Sequence, residues 1–278
     1  MTHASLCGLS LDRPRLMGIL NVTPDSFSDG GRFVDVDAAV AHARTMKAAG
    51  ADIIDVGGES TRPGADEVPI DEELARVIPV IERLVADGLG PVSIDTRKAA
   101  VMTAAARAGA ALINDVTALT FDEGALAAAA ESGLPVVLMH AQGDPKTMQR
   151  DPHYNDVVAD VRDYLAARIA ACEAAGIARS KIVIDPGIGF GKTLEHNLTL
   201  MANLDAFDEL GCPLLLGASR KSFIQKIDEG AGAEDRLGGS LAAVAAGLRA
   251  GVKLFRVHDV AETAQFIRVW LEIMRNRK

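Results

Sequence analysis

Short apolar runs rich in Val, Ile and Leu recur along the chain, each followed by a stretch with helical spacing. The runs are RLMGILNV from Arg15, ADIIDVGG from Ala51, PVSIDT from Pro91, ALINDVT from Ala111, PVVLMHA from Pro135, KIVIDPG from Lys181, PLLLGAS from Pro213 and LFRVHD from Leu254. Nearly continuous apolar runs of this length predict strands covered on both faces. Between them, Ala, Leu, Glu and Arg follow a helical period over Asp37–Ala49, Glu72–Ala86, Lys98–Ala108, Glu123–Ser132, Asp156–Ala175 and Glu234–Ala250. Gly50, Gly109, Gly176 and Gly251 stand just past four of these stretches and suit left-handed C-caps.

Eight strands alternating with eight helices predict an α/β fold of the (β/α)8 TIM-barrel type, a single domain over residues 1–278. A doubly wound open sheet would use similar units. The even count and the lack of any composition break favour the closed barrel. Residues 1–14 hold a short extra strand pair that could plug the barrel bottom.

Composition narrows the partners. A chain of 278 residues with 49% hydrophobic content can bury a large core without disulfides or structural metals. Lys and Arg total 29 against 38 Asp and Glu, a net charge of −9 that repels a polyanion, so nucleic acid is not an expected partner. A small anion can still bind where local donors override the net charge. Cys7, Cys172 and Cys212 are odd in number and far apart, which argues against a disulfide framework or a zinc site. No apolar run reaches membrane-spanning length, and MTHASLCGLSLDR lacks the pattern of a signal peptide. The expectation is a cytoplasmic protein without membrane association.

Polar residues gather at the C-terminal ends of the runs: Asn21, Asp55, Asp95, Asn114 with Asp115, His140, Asp185, Ser219 with Arg220 and Lys221, and Arg256 with His258. In a barrel those ends meet at one face, where active sites sit. Any one of them is equally well explained as a loop start or helix cap. Eight strands at once are not, because Asp55, Asp95 and Asp185 lie in apolar stretches where a carboxylate needs a reason. Three acids and Asn114 can hydrogen-bond a planar heterocycle such as an amino-pyrimidinone. A divalent metal is the alternative, but the absence of a clustered His pair speaks against a dedicated transition-metal cage.

Arg256 and His258 lie two apart and point to one face of a strand. With Asn21 they could clamp a phosphate or diphosphate, with Mg²⁺ held by an oxygen ligand and the substrate phosphates. A structural cap is the other reading of His258. Two long polar loops, 22–36 and Gly57–Pro69, are expected to be mobile and functional. Phe27 in the first either covers an aromatic substrate or staples the loop. DPGIGFGKT from Asp185 looks like a phosphate-binding loop, but only three residues separate Gly187 from Gly191, so an ATPase reading is rejected. Its glycines would let the backbone and Phe190 approach a flat ligand. Lys221 opens a helix and could reach into the mouth or lie on the surface.

The segments NVTPDSFSDGG, DVGGESTRPG, SIDT, INDV, DPGIGFGK, SRKSF and RVHD, in this order from about Met17 to Val260, resemble the dihydropteroate synthases of folate biosynthesis. One departure is Ala141 in MHAQGDP, where that family often carries a larger residue. The resemblance implies condensation of 6-hydroxymethyl-7,8-dihydropterin diphosphate with p-aminobenzoate, giving 7,8-dihydropteroate and diphosphate. It implies that Asp95, Asn114, Asp185 and Lys221 hold the pterin, with Met139 and Phe190 packed on it. Asn21, Arg256 and His258 would form the diphosphate end, with Asn21 toward Mg²⁺. Phe27, Thr61, Arg62, Pro63 and Ser222 would form the p-aminobenzoate side, where sulfonamides compete. Asp55 resembles the family's acid near the loop base. Catalysis would fall to Asp95, Asp185, Lys221, Arg256 and His258. A homodimer through helices of the C-terminal half is also implied.

No Ser–His–acid or Cys–His arrangement offers an activated nucleophile, so direct, dissociative transfer is the expected route. Two alternatives remain at this point. A pterin-dependent methyltransferase domain would lack the diphosphate clamp and the STRPG and SRKSF segments. An inactive pterin-binding paralogue is disfavoured because every motif residue is intact.

Overall fold

A computed structural model of the chain describes residues 5–23, 35–60, 65–143, 148 and 150–277. All eight apolar runs form strands: β3 (Arg15–Asn21), β4 (Ile53–Gly57), β5 (Val92–Asp95), β6 (Leu112–Asp115), β7 (Val136–Met139), β8 (Ile182–Asp185), β9 (Leu215–Leu216) and β10 (Leu254–Val257). They pair in parallel in the order β8-β7-β6-β5-β4-β3-β10-β9. The two ends of that order meet. Ile184 bridges to Leu214, and its N–H donates to the Pro213 carbonyl at 3.0 Å. The sheet is therefore a closed barrel, and the open-sheet alternative falls.

The connections carry α1 (Val36–Ala49), α2 (Ile70–Ala86), α3 (Ala99–Arg107), α4 (Ala125–Ser132), α5 (Val157–Ala174), α6 (Leu194–Ala202), α7 (Ser222–Ile227), α8 (Leu237–Arg249) and α9 (Val260–Arg275). The expected eight helices are thus nine among the described residues, because the β9–β10 connection holds both α7 and α8. The stretch expected as one helix from Glu234 opens as a 3-10 turn, Ala233–Asp235, and becomes α-helical only at Leu237. Glycine serves close packing there: a Cβ on Gly239 would sit 2.5 Å from a methyl of Ile224. The expected glycine caps are present, with φ of 116° at Gly50, 98° at Gly109, 93° at Gly176 and 82° at Gly251.

Strand side chains alternate between two environments. Leu16, Leu20, Ile54, Val56, Ile94, Ile113, Val136, Leu138, Ile182, Ile184, Leu216, Phe255 and Val257 belong to the core shared with the helices. Met17, Ile53, Leu112, Val137, Val183, Leu215 and Leu254 form a separate apolar layer inside the barrel. Leu6 and Leu11 pack into that inner layer from a two-stranded antiparallel ribbon, β1 (Ser5–Leu6) with β2 (Leu9–Ser10). The N-terminal pair does plug the barrel bottom.

Two residues further along each strand, the same inward parity carries Ile19, Asp55, Asn114, Met139, Asp185, Gly217 and Arg256. Register sets Asp55 beside Ile19 and Ser93, and Asp95 beside Gly57 and Asn114. Polar chemistry is thus confined to the open end.

Candidate active site

Asp55, Asp95, Asn114 and Asp185 converge on Arg256 within the barrel. The Arg256 guanidinium donates from Nε to Asp55 Oδ2 and from an Nη to Asp95 Oδ2, both at 2.6 Å. The Asn114 amide donates to the same Asp55 oxygen at 3.1 Å. Asp55 is fully buried and its Oδ1 has no hydrogen-bond partner. A buried carboxylate oxygen without a donor is costly, and the Arg256 guanidinium on Oδ2 offsets part of that cost.

Asp185 accepts from the Gly187 N–H at 2.7 Å through Oδ1. Its Oδ2 faces Gly217, where a Cβ would approach to 3.5 Å. Gly57 leaves similar room beside Asp95, with Asn21 Oδ1 3.8 Å from where a Cβ would stand. Side chains missing at these two positions keep the space before the carboxylates open.

The charges are strained by burial. Desolvation pushes Asp185 up to about 6, against the pull of the Gly187 N–H and of Lys221 and Lys192. Asp95 is raised to about 7, again by burial, with Arg256 opposing and Asp55 reinforcing. Burial acts to lower the Arg256 pKa, yet the carboxylates of Asp55 and Asp95 hold it above its ordinary value. Carboxylates with raised pKa values at a barrel mouth mark a functional site.

On the rim, Lys221 precedes α7 and its Nζ lies 4.0 Å from the centre of the Phe190 ring. Ser219 Oγ is 3.1 Å from His258 Nδ1 and accepts the His258 backbone N–H at 3.2 Å. Burial and the neighbouring charges of Arg256 and Arg220 push His258 down to about 4, so it is neutral at physiological pH. Arg220 turns away onto Asp259 and Glu234.

The structure adds partners to two of the expected residues. Arg256, expected at the diphosphate end, also spans the carboxylates of Asp55 and Asp95, because position 256 shares their inward parity. Asp55, expected near a loop base, stands on β4 two residues before the loop from Gly57, with Asn114 and Arg256 as partners. Asp115, grouped with Asn114 in the sequence, points the other way. It accepts from the Thr117 and Leu119 N–H groups of the turn that follows, so for this residue the loop-start explanation holds. Met139 is buried at the inward end of β7, and Ser222 is exposed at the start of α7. Phe27, Thr61, Arg62 and Pro63 lie outside the described residues.

Two features escaped the sequence reading. Lys192, the last residue before the TL of DPGIGFGKTL, is wholly buried beside His140. Rejection of the phosphate-loop motif removed the only reason to single it out. The second is an ion cluster behind Asp95. Lys98 Nζ donates to Glu59, to Glu73 at 2.6 Å and to the Val68 carbonyl at 2.6 Å, while Arg97 pairs with Glu59 at 2.7 Å. Glu59 also accepts the Val68 N–H at 3.1 Å, so the cluster ties Glu59 to Val68. Its signal was Arg97 and Lys98 directly following SIDT, two cations at the end of a strand next to an acid.

A barrel with this mouth is met in a known class. The profile of the family described as "Pterin binding enzyme" matches residues 17–258. The chain belongs to that family. Within it, the dihydropteroate synthase of Escherichia coli K12 is 53% identical over 261 residues, covering 94% of this chain and 92% of its own length. The Xanthomonas albilineans dihydropteroate synthase solved with 4-aminobenzoic acid superimposes with a TM-score of 0.93 at 51% identity, covering 99% of this chain and all of its own. The same organism's enzyme in complex with 7,8-dihydropteroate gives 0.87 at 49% identity, covering 97% of each chain.

Proposed function

We propose that this chain is an enzyme that transfers a pterinylmethyl group from 6-hydroxymethyl-7,8-dihydropterin diphosphate to p-aminobenzoate, forming 7,8-dihydropteroate. The observation that carries the reading is the set of Asp55, Asp95, Asn114 and Asp185 on inward positions at the one open end. An amino-pyrimidinone edge presents adjacent N–H donors, and the Asp185 carboxylate, with Oδ2 facing open space, is a matched acceptor. Asn114 and Asp95 take the other polar atoms of the ring. Met139 and Phe190 supply apolar surface for its faces.

Substitution at the exocyclic methylene breaks the bond to the diphosphate oxygen and forms a bond to the aniline nitrogen. The nitrogen loses a proton and diphosphate departs. The electron-rich dihydropterin delocalises positive charge on the methylene, and Asp95 and Asp185 add a negative field. Lys221, Arg256 and the neutral His258 meet the departing charge, with His258 donating a hydrogen bond rather than countering charge. Phe27, Thr61, Arg62, Pro63 and Ser222 are assigned to the p-aminobenzoate side, where a sulfonamide would compete.

Mg²⁺ fits a limited donor set here. Among the described residues no three His, Cys, Asp or Glu side chains group to hold a metal. Asn21, whose Oδ1 faces the opening beside Gly57, offers one neutral oxygen, and Mg²⁺ is usually held by one or two protein oxygens plus substrate phosphates and water. When bound it would supply charge neutralisation of the leaving group.

The reading also includes a homodimer. Leu198, Phe223, Ile224, Ile227, Ala242 and Ala246 line an apolar groove between α6, α7 and α8, with Leu198 and Ile227 exposed. A second copy seated there would cover them, and sedimentation of Ile227→Glu as a monomer would support it. No helix among the described residues is long and apolar enough to cross a membrane.

The test is direct: mix both substrates with Mg²⁺ and follow diphosphate release. Turnover supports the reading. Tight pteridine binding without release would favour the inactive paralogue, and no pteridine binding would overturn it.

A further inference from the structure

Lys192 is 1% exposed, one of the largest fully buried side chains among the described residues. Its Nζ donates to the carbonyls of Gly187 at 2.9 Å and Phe190 at 3.0 Å, lies 2.9 Å from His140 Nδ1, and is 3.3 Å from the His140 carbonyl. None of these acceptors is a carboxylate. Taking an ammonium out of water for neutral partners is expensive, and an apolar side chain of similar volume would avoid that cost. Burial accordingly brings Lys192 down to about 7, with Asp185 opposing and Lys221 adding to the fall.

The reason lies in what those acceptors belong to. Gly187 and Phe190 bracket a tight turn between β8 and α6, with φ of 70° at Gly187, 86° at Gly189 and 62° at Gly191. Such a path leaves carbonyls without periodic partners, and here they converge on one nitrogen. The turn delivers two groups to the mouth. The Gly187 N–H fixes Asp185 Oδ1, and the Phe190 ring sits under Lys221. Tyr154 and Asn197 clasp its outer side, the former donating to the Gly191 carbonyl at 2.7 Å and the latter accepting the Gly189 N–H at 2.6 Å.

We propose that Lys192 is a positioning residue for the pteridine. Its ammonium gathers the carbonyls of His140, Gly187 and Phe190, and so sets the Asp185 carboxylate and the Phe190 ring at the spacing a flat ring needs. This rests on the reading of the mouth as a pterin site. The groups facing Lys192 are His140 from the end of β7, Gly187 and Phe190 from the turn, and, through space, Asp185 and Lys221.

The test compares both Michaelis constants in Lys192→Met and the native enzyme. The KM for the pterin diphosphate is expected to rise at least tenfold while that for p-aminobenzoate stays within twofold. A purely structural role would lower the yield of folded enzyme or kcat and leave the ratio of the two constants unchanged; that result overturns the proposal. Should Lys192→Met give no soluble protein, Lys192→Gln keeps an amide donor and is expected to shift the same ratio in the same direction by a smaller factor. An unchanged ratio there is equally fatal. If native enzyme releases no diphosphate, the assigned reaction fails; if it turns over and only the ratio stays flat, the role of Lys192 fails.

Discussion

Replacing Asp185 by Asn separates the two demands placed on that residue. The amide keeps the volume, and its oxygen can still accept the Gly187 N–H that now bonds Oδ1 at 2.7 Å. It loses the charge and presents a donor where the pteridine also presents donors. Hydrogen bonds to charged groups contribute about 1.5–3 kcal/mol each. Loss of two such bonds, about 3–6 kcal/mol in sum, is a fall of at least about 100-fold in kcat/KM for the pterin diphosphate. Folding should move the other way. Burial holds the Asp185 carboxyl up from 3.8 to about 6, so the folded state keeps a proton that the unfolded chain has released. Stability therefore declines as pH rises from about 4 to 6 and stays lower above it, by up to about 3 kcal/mol. Asn carries no such burden. At pH 8 the variant should melt higher, by roughly 5–10 °C for a chain of this size, and the advantage should shrink as pH falls from 6 to 4. Calorimetric melts at pH 8 and pH 4, paired with steady-state kinetics, read both effects. A variant less stable than native at pH 8, or an advantage equal at both pH values, refutes the reasoning.

The same ionisations predict an acid limb in the native enzyme. The kcat/KM for the pterin diphosphate should fall as pH drops through about 7 and then about 6, where Asp95 and then Asp185 take up protons, and Asp185→Asn should remove the lower step and keep the upper one. Gly187→Ala places a Cβ 1.8 Å from the His140 carbonyl oxygen at a φ of 70°. Soluble yield and pterin affinity should both collapse, and near-native kinetics would show that the turn is not held as described. Leu6→Ala opens the plug under the inner apolar layer and should cost about 2–4 kcal/mol in denaturant unfolding. Both KM values should stay unchanged, since the mouth lies at the far end.

The barrel was legible because each strand is covered on both faces, and runs such as KIVIDPG and PVVLMHA have no polar interruption until their ends. Positions such as Asp55, Asp95 and Asp185 stood out for the same reason: a carboxylate inside an apolar run has to be accounted for. What the sequence could not convey is which groups share a partner. Arg256 lies 201 residues from Asp55 and 161 from Asp95, yet bonds both. Neutrality of His258 depends on burial and on two arginines, one of them 38 residues earlier in the chain. Lys192 and Lys98 look like ordinary solvated lysines in a one-dimensional string, and only the closing of loops over them shows otherwise. Helix starts slipped by one to three residues where the first turn is 3-10, as before Leu237, or where the cap stands outside the periodic stretch, as at Asp35 before α1.

The stopper made by Leu6 and Leu11 turns the barrel into a blind well. Among the described residues the foot of that well is filled by side chains, so a ligand resting on the carboxylates would enter and leave by the same side.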